Sequence, residues 1–328
     1  MFNPFLSLFV FAELGFYLLI AQTGIVEVFH SDLKAIALMP LGGVLGTFLV
    51  AKIKMELPRL GKMLLGAQFG LALLYPHYTQ MELFVLGFVV GSLSPVIIKK
   101  LQNATLLDLL AALGGAYVLG TLLFPSDPAS RLWIALVLAV LAFAGFALDS
   151  AKKSRFALKN LGNVTTLPVW MMVLWVFLDS SLFETLSRQS DMAIWRGEYM
   201  SEIVLGHLLG VMAAVGVKMD TKRRTGIVMT GFVLSYALYL LHLPWLLSIV
   251  YPVVISYYNV TILREIVRLG SFSKISLAMV FIGWGASGAG LFVALHHGCG
   301  FVFAVLLLAA AAYLFLKSFK GVYQWSRN

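Results

Sequence analysis

Of 328 residues, 60% are hydrophobic and 12% charged, with a mean hydropathy of +0.92, whereas soluble domains carry about 25% charged residues. That composition belongs to a polytopic helical membrane protein, because backbone in lipid must satisfy itself in helices or closed barrels and no run here alternates like a barrel strand. The net charge of +9 lies in short clusters between apolar runs, which argues against a nucleic-acid-binding face.

The chain starts MFNPF, without the basic start of a secretory signal, so the first apolar run is expected to be a retained span. That run, Phe5 to Gly24, carries a single carboxylate, Glu13. It lies about eight residues in, near mid-depth at about 1.5 Å per residue. A charge there costs roughly 2.5–3.5 kcal/mol, so such a residue is expected to face a cavity or a partner. Tyr17 is one turn further on the same face. Further windows of about 20 residues fall at 35–52, 60–76, 82–98, 104–124 and 132–149. The fourth holds Gly87, Gly91, Ser92, Ser94 and Pro95, a pattern of close helix packing and a bend. Asp108, near the start of the fifth, is placed to pair with Lys99 or Lys100.

Beyond the basic segment Ala151–Thr166, windows continue at 167–187, 200–217, 225–242, 244–262, 273–295 and 299–317. The first of these echoes the chain's opening: Val176-Phe177-Leu178-Asp179 stands where Val10-Phe11-Ala12-Glu13 stood. Ser180 and Ser181 follow, then Glu184, which either borders a cavity or is solvated. His207 in the next window is a candidate proton relay. Tyr251 is a cavity candidate, while Tyr257 and Tyr258 read as interface anchors. Gly283, Gly285, Gly288 and Gly290 suggest another close-approach surface, with Trp284 facing the cavity. His296-His297 is a weak metal motif without a carboxylate, and the single cysteine, Cys299, excludes an intramolecular disulfide and a cysteine-cluster metal site.

Alternating these windows puts only Lys34, Arg131, Arg188 and Arg196 on one side and the other twenty of 24 basic residues on the opposite side. The positive-inside rule makes the richer side cytoplasmic. The expected fold is all-α: twelve transmembrane helices in two pseudo-symmetric six-helix halves, 1–150 and 167–328, joined by a cytoplasmic linker 151–166. The weakest cuts, at His242-Leu243-Pro244 and Leu101–Thr105, leave ten or eleven spans as alternatives. A second match supports the repeat. Lys54-Met55-Glu56 with Arg59 follows the second span, and Lys218-Met219-Asp220 with Arg223 follows the eighth, at one spacing.

Gly210 to Arg224, GVMAAVGVKMDTKRR, resembles the signature Gly-x-x-x-Asp-Arg-x-Gly-Arg-Arg of the major facilitator superfamily. Gly216 and Asp220 keep its spacing, and Lys222, Arg223 and Arg224 supply its basic end. The first half departs from it, with Glu56 in place of the aspartate, no preceding glycine, and Pro58. The resemblance implies a compact, divergent member whose first, fourth, seventh and tenth helices line a cavity that the halves expose alternately. It also implies a conformational latch at Glu56, Gly216, Asp220, Arg223 and Arg224.

Glu13, Tyr17, Asp179, Ser180, Glu184, His207, Tyr251 and Trp284 are the expected substrate- and proton-binding residues. Paired buried carboxylates titrate as a set, which allows proton movement to be linked to cargo. No phosphate loop, His-Glu-x-x-His or nucleophile elbow is found, so ATP drive and an enzymatic role are not expected, nor is a cofactor or resident metal. Acidic mid-span charges favour cationic, neutral or amphipathic cargo. Proton-coupled export is therefore expected, with a lipid or lysolipid flippase, a transition-metal exporter and a non-transporting scaffold as alternatives. The expected partners are the lipid bilayer and a small-molecule or ion substrate, with no nucleic acid. The expected state is a monomer in a bacterial inner membrane with both termini cytoplasmic.

Overall fold

The computed structural model describes residues 2–29, 33–149, 157–160, 167–188, 192–217, 219–296 and 300–306, with only the backbone at 33–35, 160 and 188. Most of the basic linker, His297, Cys299 and most of the window 299–317 lie outside these. Every regular element among the described residues is a helix, and none is a strand.

The first span is composite. Helix α1 (Pro4–Phe16) runs into a π-helical segment, Tyr17–Gln22, and then a short α2 (Gly24–Val28). Asn3 starts α1 by accepting from Leu6 N at 3.1 Å, with Pro4 in the first turn, where its missing N–H costs nothing. Next come α3 (Leu33–Val50), α4 (Leu57–Ala72), α5 (Gln80–Leu101), α6 (Leu106–Leu123) and α7 (Leu132–Leu148). Thr79 with Glu82 and Thr105 with Asp108 form capping boxes at the starts of α5 and α6. The later helices are α8 (Val169–Arg188), α9 (Met200–Gly216), α10 (Thr221–Leu240) and α11 (Pro244–Ile266). A second composite follows: α12 (Phe272–Met279), a π-helical segment Val280–Ala286, and α13 (Ser287–His296). Both doubtful cuts are real breaks, since α5 ends at Leu101 before α6, and α10 ends at Leu240 before α11.

Among the described residues, six helices can by length and composition cross a membrane: 4–28, 80–101, 106–123, 169–187, 244–266 and 272–296. Ile36–Val50, Leu132–Leu148 and Met200–Gly216 are apolar but shorter. Large apolar side chains such as Trp133, Val137 and Val140 of α7 point outward, as lipid-facing residues do.

Packing is pairwise. α3 lies along α5, α1 against α6 and α7, and α4 against α5 and α7. α9 lies along α11, α8 against α13, and α10 against α11. Between these sets, α6 meets α9, while α12 meets α3 and α5 and its π segment meets α3. The α3–α5 contact is backbone to backbone: a Cβ on Gly87 would sit 1.9 Å from the Met39 carbonyl oxygen. Gly210 does the same for α9 on α11, with a Cβ 2.4 Å from the Val253 oxygen. Of the α12–α13 glycines, only Gly290 meets another helix's backbone, at Phe177 and Ser181 of α8. Among the described residues, Gly283, Gly285 and Gly288 make no such approach.

Polar groups tie the bundle at both ends. Where α1 begins, Lys100 pairs with Asp149 at 2.7 Å, and Asn3 donates to both Asp149 and Asp108. Asp108 thus does not pair with Lys99 or Lys100 as expected, because its oxygens are taken by Asn3 and by the Thr105 cap. At the opposite end Arg196 pairs with Glu27.

Candidate functional site

A cavity of about 270 Å³ lies among the π segment after α1, α5, α6, α8, α9, α11 and the π segment after α12. It falls just below the range of ligand pockets, roughly 300–1,000 Å³. Aliphatic and aromatic side chains make most of its wall. Among the described residues that line it there is no Lys or Arg.

Glu13 and Asp179 both border this cavity. Glu13 is 3% exposed, and its Oε1 accepts from Gln68 Nε2 of α4 at 2.9 Å. Asp179 accepts from the Tyr258 hydroxyl at 2.6 Å on one oxygen and from Tyr251 at 2.8 Å on the other. Tyr258 is therefore not the interface anchor expected of it; it is buried, with its hydroxyl on Asp179. Tyr257 is buried too and reaches the Met219 sulfur. Tyr251 stands behind Asp179 and off the cavity wall.

Ser180, Tyr17, His207 and Trp284 also reach the cavity. Ser180 donates to the Ser287 carbonyl at 2.8 Å, which holds α8 against α13. His207 stacks on Tyr117 at 4.4 Å and shares a 2.7 Å hydrogen bond with Ser256. Trp284 donates to Thr47 at 2.9 Å, and its ring meets Tyr17 edge-on at 6.5 Å. These two aromatics sit in the two π segments, a backbone form frequent at functional sites. Glu184 is 4% exposed, so it is not solvated; it borders a separate space of about 50 Å³ beside Tyr17 and Trp284.

The signature residues lie away from the cavity. Asp220 caps α10 by accepting from Arg223 N at 2.7 Å, a site where negative charge meets the helix dipole. Arg224 turns inward to Glu265 of α11 at 3.7 Å, and Arg268 shares that carboxylate. Arg223, Gly216 and Glu56 are exposed, and Glu56 makes no capping bond to α4.

Gln68, Tyr117, Tyr258 and Thr47 were not singled out from the sequence as site residues. A lone amide in an apolar helix was the one available signal for Gln68. Among the described residues, no group of three or more His, Cys, Asp or Glu is placed to hold a metal ion. No family model matches this chain, and no curated protein matches it.

Proposed function

We propose that this membrane protein is a secondary active transporter of the major facilitator type, exporting a cationic or amphipathic small molecule in exchange for protons. In this reading twelve spans form two pseudo-symmetric halves, 1–150 and 167–328, joined by the basic linker 151–166. The matched pairings support it: α3 on α5 answers α9 on α11, and α1 on α6 answers α8 on α13. Lys52 and Lys54 after α3, Lys222 and Arg223 in the first turn of α10 and Arg268 after α11 share the end where α1 begins, and the positive-inside rule reads that end as cytoplasmic, in a bacterial inner membrane.

One observation carries the proposal: Glu13 and Asp179, from different helices, border one apolar cavity. A buried carboxyl in a span marks an ion or substrate path by default. Asp220 and Arg224 then steady one conformation at the cytoplasmic end, without touching cargo.

The test is proton-driven movement of organic cations in proteoliposomes with an imposed pH gradient. Glu13→Gln and Asp179→Asn are each expected to abolish coupled flux. Flux that survives both substitutions would refute the proposal.

A further inference from the structure

Glu13 and Asp179 share a cavity, but their hydrogen-bond settings differ. Both oxygens of Asp179 accept from phenols, Tyr258 at 2.6 Å and Tyr251 at 2.8 Å. A carboxylate that accepts on both oxygens is set up as an anion. Aromatic rings continue outward from it, with Trp195 against Tyr251 at 5.6 Å and Phe183 against Trp195 at 5.2 Å. Carboxylate and aromatic rings together hold hydrophobic ammonium groups, by charge and by cation–π attraction.

Glu13 has a different kind of neighbour. Gln68 is 0% exposed, it donates to Glu13, and its own Oε1 has no hydrogen-bond partner among the described residues. An amide serves a carboxyl in either state: its NH₂ donates to the anion, and after a half-turn its oxygen accepts from the acid. That half-turn also satisfies the orphaned oxygen. The pair can therefore gain or lose a proton without stranding the bond between them.

We propose that the two acidic groups do different work: Asp179, clamped by Tyr251 and Tyr258, anchors an organic ammonium, while Glu13 carries the exchanged proton with Gln68 as its positioning residue. This deepens the transporter reading and rests on it. One proton from water binds Glu13 as one cation leaves Asp179, so the net charge of the site is preserved, and the proton returns to water on the other side. The other titratable groups facing the cavity are Tyr17 of the first π segment, Tyr117 of α6, His207 of α9 and Tyr258 of α11, with Glu184 in the adjoining space.

The test is binding of benzyltrimethylammonium to the full chain in detergent, measured by calorimetry from mildly acidic to mildly alkaline buffer. The unaltered protein is expected to bind more tightly as the buffer becomes alkaline. Asp179→Asn weakens binding about tenfold or more at every pH. Tyr258→Phe, which removes one hydroxyl and leaves the ring, weakens it severalfold and serves if the asparagine variant fails to fold. Glu13→Gln keeps the affinity seen in acid and loses the pH dependence. Gln68→Leu keeps both limiting affinities and moves the midpoint between them, which a merely structural role would not do. A pH dependence lost in His207→Gln but kept in Glu13→Gln would place the proton on the histidine instead. Equal losses in the Glu13 and Asp179 variants, a profile that follows His207, or no binding of the probe would overturn the assignment. Proton-driven flux that persists beside any of these leaves the transporter reading standing; the expected binding split without flux leaves the assignment and removes transport.

Discussion

Arg131 is fully enclosed, and its guanidinium is spread over three backbone carbonyls: Leu19 at 2.9 Å, Phe124 at 2.7 Å and Ser126 at 3.0 Å. It also donates to Thr23 at 3.0 Å. The π segment and the end of α6 leave these carbonyls without helical partners, and each orphaned buried group costs about 1–3 kcal/mol. Arg131→Ala is therefore expected to lower the thermal midpoint in detergent sharply, followed by tryptophan fluorescence. Arg131→Lys recovers only part of the loss, because an ammonium cannot span the fork that a guanidinium spans. An alanine variant with an unchanged midpoint would contradict this. The sequence counts Arg131 among four basic residues on the poorer side, which says nothing of burial. Gln68 and Tyr258 were hidden for the same reason: their partners, Glu13 and Asp179, lie 55 and 79 positions away. Glu13 and Asp179 were legible because a carboxylate inside an apolar run needs no partner to be conspicuous.

At the scale of the helices, the apolar windows were legible because lipid demands a minimum length, and Pro, Gly and charge punctuate the rest. The π segments at Tyr17–Gln22 and Val280–Ala286 were not. An extra residue per turn leaves no mark on a run that is apolar all round, since there is no polar face to fall out of phase. Glycine roles needed the coordinates too. Gly87 and Gly216 each read as meaningful in the sequence, one for packing and one for the signature. Only Gly87 lacks room for a side chain; around Gly216 nothing among the described residues lies within 4 Å of an added Cβ. Gly87→Ala is expected to push α3 from α5 and destabilise by about 1–3 kcal/mol, as overpacking does. Gly216→Ala is expected to stay within about 0.5 kcal/mol, as an open surface change does. Denaturation of the two variants side by side checks this, and equal effects would contradict the packing argument.

For the molecule as a whole, residues from separate parts of the chain meet at the cavity's far end. Phe124 after α6 meets Phe183 of α8 at 6.2 Å and Trp195 at 6.4 Å. Beside them Glu27, after the first π segment, pairs with Arg196, whose guanidinium also lies over the Phe124 ring. At the opposite end the amide of Gln102 bonds the carbonyls of Val267 and Leu269 at 3.0 and 2.9 Å. A transporter working by alternating access has to separate the first set of contacts to expose the cavity on that side. The ion pair, whose members are partly exposed, holds it only modestly, since such pairs contribute about 0–1 kcal/mol; the buried rings supply most of the closure. Glu27→Gln is accordingly expected to leave flux active and raise access of a thiol reagent to a cysteine placed at Thr23 on the cavity wall. A covalent strap is a different matter. With Cys299 replaced by serine, cysteines at Glu27 and Arg196 joined by a short crosslinker are expected to stop proteoliposome flux. A reducible linker should restore flux when cleaved. Flux that continues through the intact strap would mean that the two parts of the chain do not separate there, and the cavity would have to fill and empty from one side only.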